Sequence, residues 1–230
     1  MVKAAALKPA PDPPVRPTRA AVAKSAAQLQ SADPETQRAA AAWFRGVLRL
    51  PDEVKTSCVE DIVRLTPRFV ELLGSPAQPV VTEAASVIAN IAASPGESSA
   101  KVIESGAVPL LIELLRSTSN NDLKDHAALA LGNVAIGSAQ ARDLILESGG
   151  LEPLTDVMTD FVGGSSTSAR VLNSTVWAIS QMCRAVSRAP RRSAARAPLP
   201  PAHAASLLLR CRGRRWRCCA PSSRCSRSCS

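Results

Sequence analysis

One apolar segment recurs three times along this chain, and that recurrence limits the fold more than any other feature. TPRFVELLGSPAQPVVTEAASVIANIAA (66–93), VPLLIELLRSTSNNDLKDHAALALGNVAI (108–136) and EPLTDVMTDFVGGSSTSARVLNSTVWAISQMCR (152–184) align. Pro67, Pro109 and Pro153 open the segments, 42 and 44 residues apart, and Asn90, Asn133 and Gln181 close them, 43 and 48 apart. VIESGAVPLL (102–111) and LILESGGLEPL (144–154) repeat the junction before the proline. A unit of this size cannot bury its own apolar face, so neighbours must stack into one continuous core.

Each unit reads as a short helix, a turn at glycine and two longer helices. Gly106 and Gly149 suit a turn that needs positive φ or a close backbone approach. The prolines suit a first helical turn, where a missing N–H costs nothing. Strand signals are absent, so the fold class is all-α. A helical repeat of roughly 42–47 residues has the armadillo/HEAT period. The expected architecture is a right-handed superhelical solenoid of about three repeats, with disordered termini. Residues 31–187 form the repeats. The Ala- and Pro-rich residues 1–30 read as disordered, and so does the tail, 188–230. The repeat body starts at SADPETQRAAAAWFRGVLRL, where Ser31 or Asp33 caps a helix and Pro34 enters its first turn.

The last helix of each unit carries a core stripe at i, i+4, i+7. It runs Ala84/Ile88/Ile91, then Ala127/Leu131/Val134, then Thr175/Ile179/Met182. Ala89, Gly132 and Ser180 beside it are small, as close helix crossings require. Two residues from the stripe, about 200° round at 100° per residue, sit Ser86/Asn90, Leu129/Asn133 and Trp177/Gln181. Stacking aligns these pairs in a row along one surface. Asn and Gln carry both donors and an acceptor, so such a row can hold the backbone of an extended peptide without reading its sequence. An indole among amides offers a shelf for a Lys or Arg stem, with a cation–π contribution of about 0.5–2 kcal/mol. The bland readings are a partly buried Trp177 that only packs and asparagines that only satisfy local backbone; the shared register of the pairs weighs against coincidence.

Charge and cysteine divide the chain at the same place. All 19 acids lie in residues 1–160, whereas residues 161–230 hold 13 arginines and no acid. The net charge of +9 therefore joins a mildly acidic body to a strongly basic tail. Cys58 and Cys183 lie in the body; the other five of the seven cysteines crowd the last 20 residues without a zinc-ligand pattern. Two distant body cysteines make no disulfide framework, which fits a reducing compartment. Phe, Trp and Tyr make up only 3% of the chain, so the core is built from Ala, Val, Leu and Ile. No apolar run approaches the roughly 18 residues of a membrane span, and the N-terminus lacks a secretory h-region. His126 and His203 are too isolated for a metal site or a triad. No phosphate loop or nucleophile motif is found, so no enzyme, cofactor or metal is expected. The tail has the composition of GC-rich DNA translated out of frame or through an intron; read as functional, it offers weak electrostatic binding to nucleic acid or acidic surfaces, densest at RCRGRRWRCC.

HAALALGNVAIGSAQARDLILESGGLEPL and STVWAISQMCR resemble the second and third armadillo repeats of importin alpha, the receptor for nuclear localisation signals. ETQRAAAAWFRGVLRLP and VKTSCVEDIVRLTPRFVELL resemble the start of that armadillo domain. The likeness covers residues 34–184. It implies a nuclear import adaptor, of cytoplasm and nucleus, that binds basic cargo peptides in a concave groove. The residues it places there are Asn90, Asn133, Trp177, Gln181, Ser86 and Leu129. The family pattern is Trp-x-x-x-Asn. This chain has Ser86 and Leu129 where tryptophan is expected, Gln181 in place of asparagine, and Gly137 where the family has an acid. Importin beta is a partner that the family implies, but residues 1–30 contain no basic run to serve as its binding helix. The alternatives are a generic armadillo scaffold without signal binding, or a non-functional truncated gene product.

Overall fold

The first helices show how short sequence signals start each element. In the computed structural model, which describes residues 17–94, 97–164 and 166–184, Asp33 caps α2 (Pro34–Leu48) by accepting from the backbone N–H groups of Glu35 and Thr36. Hydrogen bonds from the Thr36 hydroxyl and backbone hold the Asp33 carboxyl below its ordinary value. Ser31 accepts from the Asp33 N–H just before it. Proline at the start of α2 fills a position whose N–H would be orphaned anyway.

Three helical triplets follow. The first is α3 (Asp52–Val63), α4 (Thr66–Leu72) and α5 (Gln78–Ala92). The second is α6 (Ser98–Glu104), α7 (Ala107–Ser117) and α8 (Asn121–Gly137), and the third is α9 (Ala139–Glu147), α10 (Leu151–Val162) and α11 (Ala169–Arg184). No strand occurs among the described residues. Gly106 and Gly149, 43 residues apart, both take φ 75° at the turn before the second helix. This is the left-handed region that glycine enters without steric cost.

The core runs through the stack. Ala84, Ile88, Ile91, Ala127, Leu131, Val134, Thr175 and Met182 are all buried, and Ile179 packs against them half-buried. Helix α2 adds a fourth member to the row of last helices: it packs on α5, α5 on α8, and α8 on α11. Its Ala40, Phe44 and Val47 lie 44 residues before Ala84, Ile88 and Ile91 and are buried like them. The equivalence of units follows the glycines rather than the prolines. Leu111 and Leu154, 43 apart, are both fully buried, whereas Pro109 is exposed and Pro153 is buried.

The stack also ends differently from how it runs. Val108 on α7 is 1% exposed, while its counterpart Leu151 on α10 is 41% exposed. Ala128 on α8 is fully buried under α11; its counterpart Val176 is 45% exposed.

One expectation is corrected. Residues 19–29, read as part of a disordered segment, form α1 (Arg19–Leu29), capped by Thr18. Its buried positions are only Val22, Ser25 and Leu29, a stripe diluted by alanine. Order comes from docking rather than from amphipathic pattern. Arg68 of α4 donates from Nε and Nη2 to the Leu29 carbonyl at 3.2 and 2.8 Å, satisfying the end of α1. The buried Cys58 thiol donates to the Pro17 carbonyl at 3.3 Å, and Arg19 pairs with Asp61 on α3. Residues 1–16 and the tail, 188–230, with their expected disorder, lie outside the described residues.

Candidate functional site

Each neighbouring pair in the row α2–α5–α8–α11 is laced by a polar or close contact. Between α2 and α5, Arg45 Nε pairs with Glu83 Oε2 at 2.7 Å. Between α5 and α8, Asn133 Nδ2 donates to the Ala89 carbonyl at 2.9 Å. Between α8 and α11, Asp125, itself buried, accepts from the Ser174 hydroxyl and pairs with Arg170, which also reaches Asp122. At the start of these helices Asn121 donates to the Ser166 carbonyl at 2.9 Å. A buried carboxylate needs such partners, because its desolvation is otherwise uncompensated.

His126 borders this cluster, with Nδ1 4.0 Å from Asp125 Oδ2. Burial pushes its imidazole below the ordinary value; Asp125 opposes that shift, Arg170 and Arg49 add to it, and Asp122 opposes it.

The six residues expected to face a ligand fall into two groups. Asn90, Leu129, Asn133 and Trp177 are half-buried, with part of each side chain at the surface. Ser86 is 1% exposed and Gln181 is 8% exposed. The Ser86 hydroxyl is buried with no hydrogen-bond partner among the described residues. Gln181 Nε2 donates to Ser180 Oγ at 3.1 Å, and that hydroxyl donates to the Trp177 carbonyl at 2.7 Å, so the longer amide folds back along its own helix.

Asn90 spends one donor on the Ser86 carbonyl, a turn back on its own helix, at 2.7 Å. Asn133 spends one on α5. In both, the side-chain oxygen has no partner among the described residues, so these amides present acceptors outward. Such a row suits N–H donors: peptide amides, ammonium and guanidinium groups.

Trp177 lies against α8. A Cβ placed on Gly132 would fall within 2.8 Å of Trp177 Cε3 and closer still to Cζ3, and 3.1 Å from Ala178 Cα. Gly132 is the 43-residue counterpart of Ala89, the residue whose carbonyl receives Asn133. The same spot on each preceding helix thus receives the following one. Sequence reasoning noted these small residues only as helix-crossing positions. Gly137, where the resemblance implies an acid, ends α8, and a Cβ there would press on the Ser99 hydroxyl of α6 and lie 3.0 Å from its Cβ. Among the described residues, no three His, Cys, Asp or Glu side chains gather as metal ligands would.

The Armadillo/beta-catenin-like repeat family matches residues 97–136, which hold α6, α7 and nearly all of α8. Importin subunit alpha-1b of Oryza sativa subsp. japonica is 35% identical over 159 residues, covering 68% of this chain and 28% of that protein. Importin subunit alpha-2 of Arabidopsis thaliana is 35% identical over 163 residues, covering 70% of this chain and 29% of that protein.

The chain belongs to the importin alpha family.

It spans less than a third of the length of these importin alpha relatives. Among solved structures, a designed armadillo repeat protein in complex with the peptide (KR)4 matches with a TM-score of 0.62 and 27% identity, over 70% of this chain and 64% of that one. An engineered protein matches with a TM-score of 0.62 and 30% identity, over 71% of this chain and 62% of that one. The three triplets are accordingly importin alpha armadillo repeats.

Proposed function

We propose that these repeats hold an extended basic peptide along the row α5–α8–α11, and that the protein serves as an adaptor for nuclear localisation signals between cytoplasm and nucleus. The observation that carries this reading is the common register of Asn133 on Ala89 and Trp177 on Gly132. It sets an outward amide oxygen and an indole shelf one helix apart. The oxygen accepts from peptide N–H groups, and the indole packs on a Lys or Arg stem. The (KR)4 peptide bound by the designed neighbour supports a basic ligand, and the relatives' importin names support a role in import.

The test is fluorescence anisotropy of the full chain with a labelled Lys/Arg-rich peptide. An acidic peptide of equal length reports binding by the basic tail. Trp177→Ala and Asn133→Ala should each weaken the basic peptide several-fold and leave the acidic one alone. Unchanged affinity in both variants would overturn the groove.

A second reading is an armadillo scaffold without signal binding. It is favoured by Ser86, which is sealed from solvent at a position where the resemblance implies a tryptophan, and by Leu129 in the second such place. In that case neither substitution moves peptide binding, and the partner contacts another face.

A further inference from the structure

The position of Trp177 is not set by its own helix alone. Its benzo ring occupies the space that any side chain at residue 132 would fill. Gly132 lies inside α8, where glycine costs about 1 kcal/mol relative to alanine. Its presence there has no backbone explanation, because its φ is not positive. The glycine gives the indole room to lie down across α8, half-buried against the core, instead of standing into solvent. The Ser180 hydroxyl, donating to the Trp177 carbonyl, and Gln181 behind it brace the turn from the other side.

We infer that Gly132 is a positioning residue for the peptide groove: it seats the Trp177 indole flat enough to act as a shelf for a cationic stem. This rests on the groove proposed above. A methyl group at 132 lifts the ring off α8. The indole then spends its freedom in solvent and must be re-ordered on each binding event, which lowers affinity without removing a single ligand contact.

The experiment is a double-mutant cycle in the full chain with the same labelled Lys/Arg-rich peptide: Gly132→Ala, Trp177→Ala and both together. The packing is read separately by emission and acrylamide quenching in a chain carrying Trp43→Phe and Trp216→Phe, where Trp177 alone emits. Gly132→Ala should weaken binding by more than about two-fold and by at most about thirty-fold, the limit that complete loss of the cation–π shelf would set. In the Trp177→Ala background it should have under about a two-fold effect, since its route of action is gone. Trp177 emission should shift to the red and quench more readily. If Gly132→Ala fails to fold and the double variant folds, the ring and the methyl compete for one space, as inferred. Equal weakening in both backgrounds, or unchanged emission, overturns the inference. If Trp177→Ala itself leaves affinity unchanged, the indole is no shelf and the inference falls, whereas the groove as a whole is overturned only if Asn133→Ala is silent as well.

Discussion

Asn133 on α8 donates to the carbonyl of Ala89 on α5 at 2.9 Å, a bond that joins one repeat to the one before it. The side chain proposed to meet a ligand therefore also holds the stack together. Asn133→Ala should lower stability by about 0.5–1.5 kcal/mol, the net worth of one such bond, as well as weakening the peptide. Asn90→Ala removes only a bond within α5, so its effect on chemical denaturation should be smaller. Equal losses would place the Asn133 bond outside the energetics of the interface.

Ser86 should respond in the opposite sense. Its hydroxyl is buried without a partner among the described residues, so Ser86→Ala removes an uncompensated polar group worth about 1–3 kcal/mol in mutational data. The substitution is expected to raise the denaturation midpoint and leave peptide affinity alone. A drop in affinity would mean that Ser86 reaches the ligand.

Leu129→Trp should strengthen basic-peptide binding by adding a second shelf beside Asn133. Gly137→Asp adds the acid that the family resemblance implies, but its Cβ presses on Ser99 and its charge sits at the unfavourable end of the α8 dipole. Gly137→Asp alone should therefore lower the thermal midpoint, and Ser99→Ala should recover part of the loss. A Gly137→Asp midpoint equal to wild type would remove the steric argument.

The His126 imidazole titrates below its ordinary 6.5 because burial disfavours its charged form. The unfolded chain then binds more protons than the folded one between those two values. Stability is full above about pH 6.5 and is lost as pH falls toward the folded value. His126→Gln should flatten that dependence. Thermal midpoints at pH 7.5 and 5.5 should differ less in the variant than in wild type, and equal differences would assign the slope to other groups.

The repeat period, the glycine turns, the Asp33 cap and the core stripes were legible because each depends on near neighbours in sequence. Helix α1 was not legible, since alanine hides its three-residue stripe and its order comes from Arg68 and Cys58, far along the chain. The sites were half legible. Periodicity placed Ser86 and Gln181 far from the core stripe on an isolated helix. A helix such as α5, packed on both α2 and α8, is covered over much more than one face. Residues well away from the stripe are then buried too, as Ser86 is. The role of Gly132 was invisible until Trp177, 45 residues on, was placed against it.

The lacing of each last helix to its immediate neighbours alone has a kinetic consequence. Helix α8 cannot open without breaking Asn133 from α5 and Arg170 and Ser174 of α11 at once, whereas α1 is released by losing one side of its contacts. Amide hydrogens should therefore exchange slowest in α8 and progressively faster toward α1, with the chain unzipping from a frayed flank rather than bursting at its centre.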